Sequence, residues 1–190
     1  MDTLSKLAQE VEACKKCPLH TQAQNAVFGD GPSDAKIMLI GEAPGKNEDL
    51  AGLPFVGKAG ELLTELLSSV GLNRREVYIA NVVKHRPPGN RDPTRNEVEA
   101  CKPFLEKQIE IINPEIIVLL GNHALEFVTG SKGISTIHGK ILKKELSGKT
   151  RKIIPTFHPA ALIYNRALRP DAEKDWEKIK KESGQTTLSF

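Results

Sequence analysis

Residues Lys36–Leu63 read KIMLI-GEAPGKNEDLAGLPFVGKAG-ELL, and the rest of the chain is organised around them. The apolar run Ile37–Ile40 stops at Gly41-Glu42-Ala43-Pro44-Gly45. That is the pattern of a buried strand running into a loop. Glycine lets a backbone approach a ligand closely, and proline stiffens the loop. The loop returns through Pro54-Phe55-Val56-Gly57 to a helix beginning near Ala59. An aromatic between a proline and a glycine is poorly placed for a core. Phe55 is therefore read as offering its ring face to a flat ligand; its plainer role is a pin for the loop.

Outward from this stretch, short apolar runs at 36–40, 77–81, 116–120 and 152–156 read as strands. Helical patterns fall at 3–13, 59–70, 94–112, 122–129 and 170–183. Alternating strands and helices imply a parallel sheet covered by helices through right-handed crossovers. In such sheets ligands bind outside the carboxyl ends of the strands. At those ends stand Gly41-Glu42-Ala43, then Asn81 with Lys84, His85 and Arg86, then Gly121-Asn122-His123, then Phe157-His158-Pro159. Polar and glycine residues thus converge on one rim. His123 is read as a solvent-facing helix start with no role.

The 190 residues suit one domain, 1–183, with a polar tail at 184–190. A net charge of +3 permits a polyanionic partner without demanding one. No secretory segment or membrane-length apolar run is seen, so a cytoplasmic monomer with reduced thiols is expected. Three cysteines in that setting point to metal or reactivity. Cys14-Lys15-Lys16-Cys17 brings two thiolates within reach of one metal, and Cys101 lies far downstream. A fourth ligand is needed; His85 is the first candidate and His20 the nearer rival.

The motifs GEAPGKNEDLAGLPFVGKAGELL, NVVKHRPPGNRDP with Glu97 and Cys101, and TFHPAAL together resemble the family 4 uracil-DNA glycosylases. The resemblance runs from Cys14 to about Trp176. It implies a three-layer α/β/α fold with a four-stranded parallel sheet, and excision of uracil from DNA. It also implies a structural 4Fe–4S cluster held by Cys14, Cys17, Cys101 and, where the family usually has cysteine, His85. Imidazole ligates iron in Rieske centres. Zinc also suits three thiolates and one imidazole, and spacing alone does not separate the two metals.

By position in the motifs, Phe55 is the ring on which uracil stacks, Asn81 the amide that reads the base, and His158 the histidine facing its O2. Gly41 and Ala43 lie against the substrate. Glu42 is expected under the sugar, steadying the cation and orienting water, with Glu48 and Asp49 as substitutes. In family 1 glycosylases the residue at Ala43 is the aspartate that activates water. Lys84, Arg86 and Arg91 are expected to meet single- or double-stranded DNA at its phosphates. Histidine at position 85 also occurs in a cross-linking branch of the superfamily, but the short PPGNRDP loop lacks that branch's basic insert. The tail Gln185–Phe190 resembles the start of a sliding-clamp-binding peptide. The rival readings are a non-catalytic reader of damaged DNA and a redox protein built on Cys14 and Cys17.

Overall fold

The structure, a computed structural model, describes residues 3–184. Strands Ile37–Gly41 (β1), Val77–Asn81 (β2) and Ile116–Leu120 (β3) are buried at every position, as strands covered on both faces must be. Leu142–Leu146 (β4) and Lys149–Thr156 (β5) complete one sheet in the order β2-β1-β3-β5-β4. The helices are Thr3–Glu12 (α1), Lys46–Ala51 (α2), Lys58–Ser69 (α3), Arg95–Ile112 (α4), Asn122–Thr129 (α5), Ile134–Ile137 (α6), Pro159–Tyr164 (α7) and Arg169–Ser183 (α8).

Successive side chains of a strand point to opposite faces, and that period divides the core in two. Met38, Ile40, Tyr78, Ala80, Ile117 and Leu119 pack under α1, α4 and α5. Ile37, Leu39, Val77, Ile79, Ile116 and Val118 pack under α3 and α8, with Trp176 fully buried among them. The three-layer α/β/α arrangement is therefore present.

The expected four strands are parallel and in place, but the sheet has a fifth. β4 pairs antiparallel to β5 at the edge. Ser147 and Gly148, with φ of 50° and 73°, make a two-residue turn whose twist suits a hairpin. The charges of L-K-K-E-L hid this strand. Lys143 and Glu145 face solvent and keep an edge strand from pairing with other chains.

α3 begins at Lys58, and α2 lies inside what read as one loop. α4 starts with a capping box: the Thr94 hydroxyl accepts from the Glu97 amide, and the Glu97 carboxylate accepts from the Thr94 amide. α8 closes at Gly184, φ 61°. The clamp-peptide expectation at 185–190 lies outside the described residues. Among the described residues, no helix is long and apolar enough to cross a membrane.

Candidate active site

The carboxyl ends of β1, β2 and β5 open into a cavity of about 720 Å³. Glu42, Ala43, Phe55, Asn81 and His158 line it together. Gly41 and Asn81 are register partners at the last rung of the β1–β2 ladder. A Cβ at Gly41 would stand 2.5 Å from Asn81 Oδ1 and 2.8 Å from Phe55 Cζ, so glycine lets amide and ring close over the strand tip. Asn81 is buried, and its Oδ1 has no hydrogen-bond partner among the described residues. A buried acceptor left alone costs about 1–3 kcal/mol, so a ligand that supplies an N–H recovers it.

Phe55 takes a left-handed backbone, φ 51°, which is strained for a bulky residue. Two features hold it there. Glu48 Oε1 accepts from the Val56 and Gly57 amides at 2.9 and 2.8 Å, bracing the turn and serving the start of α3. Gly60 lies against the Phe55 carbonyl, where a side chain would collide. The Phe55 and His158 rings stand 5.5 Å apart and tilted by 34°.

His158 Nδ1 accepts from the Ala160 amide at 3.1 Å as the cap of α7. With Nδ1 an acceptor, the ring proton of the neutral form sits on Nε2. Burial pushes this imidazole down to about 4, so it is neutral at pH 7 and presents a donor. Glu42 moves the other way. Burial raises its carboxyl, His123 lowers it and Asp92 raises it again.

Several expected roles change. Asp49 is buried away from the cavity, its Oδ1 accepting from the Gln24 and Asn25 amides, so it ties the N-terminal segment to α2 and cannot activate water. Glu48 borders the cavity but commits Oε1 to the Phe55 turn. Lys84 is not at the surface. Its Nζ donates to the Asn81 carbonyl at 2.8 Å and to Gln108 Oε1 at 2.6 Å, and burial lowers it to about 8. It braces the backbone of Asn81 and cannot meet a phosphate. Arg86 Nε donates to Asn90 Oδ1 beside the cavity. Arg91 reaches the cavity, with its guanidinium paired bidentately to Glu97.

Sequence reasoning missed Lys46 and Lys58, exposed at the first positions of α2 and α3, and Tyr164, 91% exposed at the end of α7. All three border the cavity. His123 begins a helix and is exposed, as expected, and its Nε2 also reaches back toward Glu42 and Asp92. No spacing rule connects positions 42, 92 and 123; the sheet order does.

A sequence profile described as "Uracil DNA glycosylase superfamily" matches residues 28–180. The chain belongs to that superfamily. It is 47% identical over 184 residues to a type-4 uracil-DNA glycosylase of Archaeoglobus fulgidus, covering 94% of this chain and 92% of the relative. A protein of the same description from Sulfurisphaera tokodaii is 47% identical, covering 95% of this chain and 84% of the relative. A third, from Thermotoga maritima, is 49% identical over 92% of this chain and 91% of its own.

This member of the superfamily gathers its three cysteines on the α1–α4 side. Cys101 sits in α4, and its thiol is raised by burial, lowered by the Lys84 ammonium and the Lys84 amide, and raised by Cys17 and Cys14. Cys17 is raised chiefly by burial, with Cys14 adding to it. Cys14 and Cys17 thus lie close enough to Cys101 for their charge to raise its thiol. Cys14, His85 and His20 line one cavity of about 380 Å³. His85 is 8% exposed, and burial lowers its imidazole, with His20 lowering it further. His20 Nδ1 lies 2.6 Å from the Cys17 carbonyl. The donor set fits a sulfur-rich metal centre.

Proposed function

We propose that this chain extrudes uracil from DNA into the cavity at the β1, β2 and β5 tips and hydrolyses its N-glycosidic bond, leaving an abasic site. A base inside a duplex is out of reach, so it is flipped first. The observation that carries the reading is the orphaned Asn81 Oδ1, buried in a cavity shared with the Phe55 ring and the His158 imidazole. Uracil offers N3–H beside O4. The Asn81 amide oxygen takes the first, and its nitrogen donates to the second. Cytosine presents a bare N3 and an amino group there, and both contacts fail.

Bond cleavage leaves negative charge on uracil and positive charge on the sugar. His158 Nε2–H donates to O2 as charge develops. Glu42 faces the sugar, stabilises its cation and orients water. Phe55 stacks on the base. Lys46, Lys58 and Arg91 meet DNA phosphates at the rim, contacts that position without reading sequence.

The cysteine site holds a 4Fe–4S cluster through Cys14, Cys17, Cys101 and His85. Its chemistry is structural: it fastens the N-terminal segment to α4 and to the loop after β2. Tetrahedral zinc at ~2.3 Å would draw its ligands to within about 4 Å of one another. Iron and zinc content of the purified protein separates this alternative from the cluster. His20 is the alternative fourth ligand, because a ring nitrogen bonded to a backbone carbonyl is the usual support of a metal-binding histidine.

The test is uracil release from single- and double-stranded oligonucleotides under multiple turnover, with iron and zinc measured on the same sample. Asn81→Ala and His158→Ala are expected to fold and to lose at least about 100-fold in rate. Full activity in either variant removes the site assignment, and tight binding without turnover in the wild type makes the protein a reader.

A further inference from the structure

One histidine, unused by this reaction scheme, stands beside Glu42 and Asp92, which line the cavity. α5 is held firmly at its start. Asn122 Oδ1 accepts from the Gly133 and Ile134 amides. Gly121, φ 90°, lets the turn press against His158, since a Cβ there would lie 3.0 Å from His158 Cβ. This places His123 Nε2 3.7 Å from Glu42 Oε2 and 3.5 Å from Asp92 Oδ2.

The groups around it come from every neighbouring element. Glu42 is at the tip of β1, Asp92 in the loop before α4, and His158 at the tip of β5. On its own helix, Glu126 is taken by Lys132 at 3.1 Å. Burial and Asp92 both push the Glu42 carboxyl up, and His123 is the group that opposes them. The same charge works against a second proton on His158, in the direction burial already sets. One cation at this point thus acts on both reacting groups with useful sign. A protonated Glu42 no longer steadies a sugar cation, and a doubly protonated His158 loses the Nδ1 acceptor that caps α7.

We propose that His123 is a positioning residue of this active site, an imidazolium set between Glu42 and Asp92 that keeps the carboxylate and the buried imidazole in the charge states the reaction uses. The proposal rests on the glycosylase reading above. It also gives Asp92 a purpose: the contact fastens the proline-rich loop, with Asn90 and Arg91, to the strand tip.

The pH dependence has a definite sign. Without the imidazolium, both Glu42 and His158 take protons more readily, so activity is lost at a higher pH on the acid side. A histidine's positive charge is lost toward basic pH, so the defect fades in base. A merely structural role would cost the same at every pH.

The experiment measures single-turnover rate constants on a single-stranded uracil oligonucleotide against pH, for wild type, His123→Gln, His123→Lys and Glu42→Gln. His123→Gln is expected to fall about two- to fivefold at pH about 5.5, and by less than about twofold at pH about 8.5. His123→Lys, a permanent cation, restores the acid side. A defect equal at both ends, no defect at all, or Lys no better than Gln overturns the proposal. Glu42→Gln separates the two levels: if it keeps wild-type rates throughout, the role given to Glu42 has failed, and the role of His123 fails with it for that reason.

Discussion

Gly41→Ala probes how tightly amide and ring close over the β1 tip. The added Cβ would lie 2.5 Å from Asn81 Oδ1 and 2.8 Å from Phe55 Cζ, whereas ordinary contacts begin at 3.4 Å. Amide or ring must therefore retreat by roughly 0.6–0.9 Å. Neither moves freely. Lys84 holds the Asn81 carbonyl, and the Glu48 carboxylate and Gly60 hold the Phe55 turn. A misplacement near 1 Å in a reacting geometry costs about 100-fold in rate. Overpacking costs about 1–3 kcal/mol, or roughly 2–12 °C in melting temperature for a chain of this size. Single-turnover uracil release and thermal unfolding, run on the same preparation, measure both. A large rate loss with a small thermal shift is expected. Wild-type rates at an unchanged melting temperature would refute this packing at the strand tip. So would a rate loss only as large as the unfolded fraction explains.

Four further outcomes are expected. Glu48→Ala frees the Val56 and Gly57 amides and loosens the Phe55 turn, so KM rises about tenfold with a smaller change in kcat, read by steady-state kinetics. Lys84→Met leaves Gln108 Oε1 and the Asn81 carbonyl without their buried donor, lowering stability by about 1–3 kcal/mol in urea unfolding. Glu97 is held at about 2, chiefly by the Arg91 guanidinium, so its contribution to stability is present above the unfolded value near ~4.3 and lost as pH falls toward 2. In Arg91→Ala the drop in melting temperature between neutral pH and pH about 3 shrinks. Cys101→Ser removes a ligand of the proposed cluster from α4, so iron content is expected to fall to about half or less, and the melting temperature with it; unchanged iron would mean that any cluster sits elsewhere.

Much of the site was legible in the chain because its chemistry is local. Glu42, Asn81 and His158 each lie at or just beyond an apolar run, and the rule that strand tips carry the ligand places them together, with Phe55 on the loop that returns from the first tip. The cations at the rim of the cavity were not legible in the same way. Lys84 and Arg91 sit in a basic, proline-rich loop and look alike in sequence, yet one is swallowed by Gln108 and the other paired with Glu97. A lysine does not announce whether the chain will fold over it. Lys58 carried no signal beyond standing near a helix start, and Lys46 lay within what read as loop.

The sequence by itself determined the alternation of strand and helix, the two-faced core and the residues at the strand tips. These come from hydrophobic period and from glycine and proline, which act on a few neighbouring residues. Only the tertiary structure decided which charges share a neighbourhood. β1 lies beside β3, which brings residues 42 and 123 together, and β4 joins the edge through a turn of two left-handed residues. Burial and pairing between distant segments have no local pattern, because they depend on which strands become neighbours.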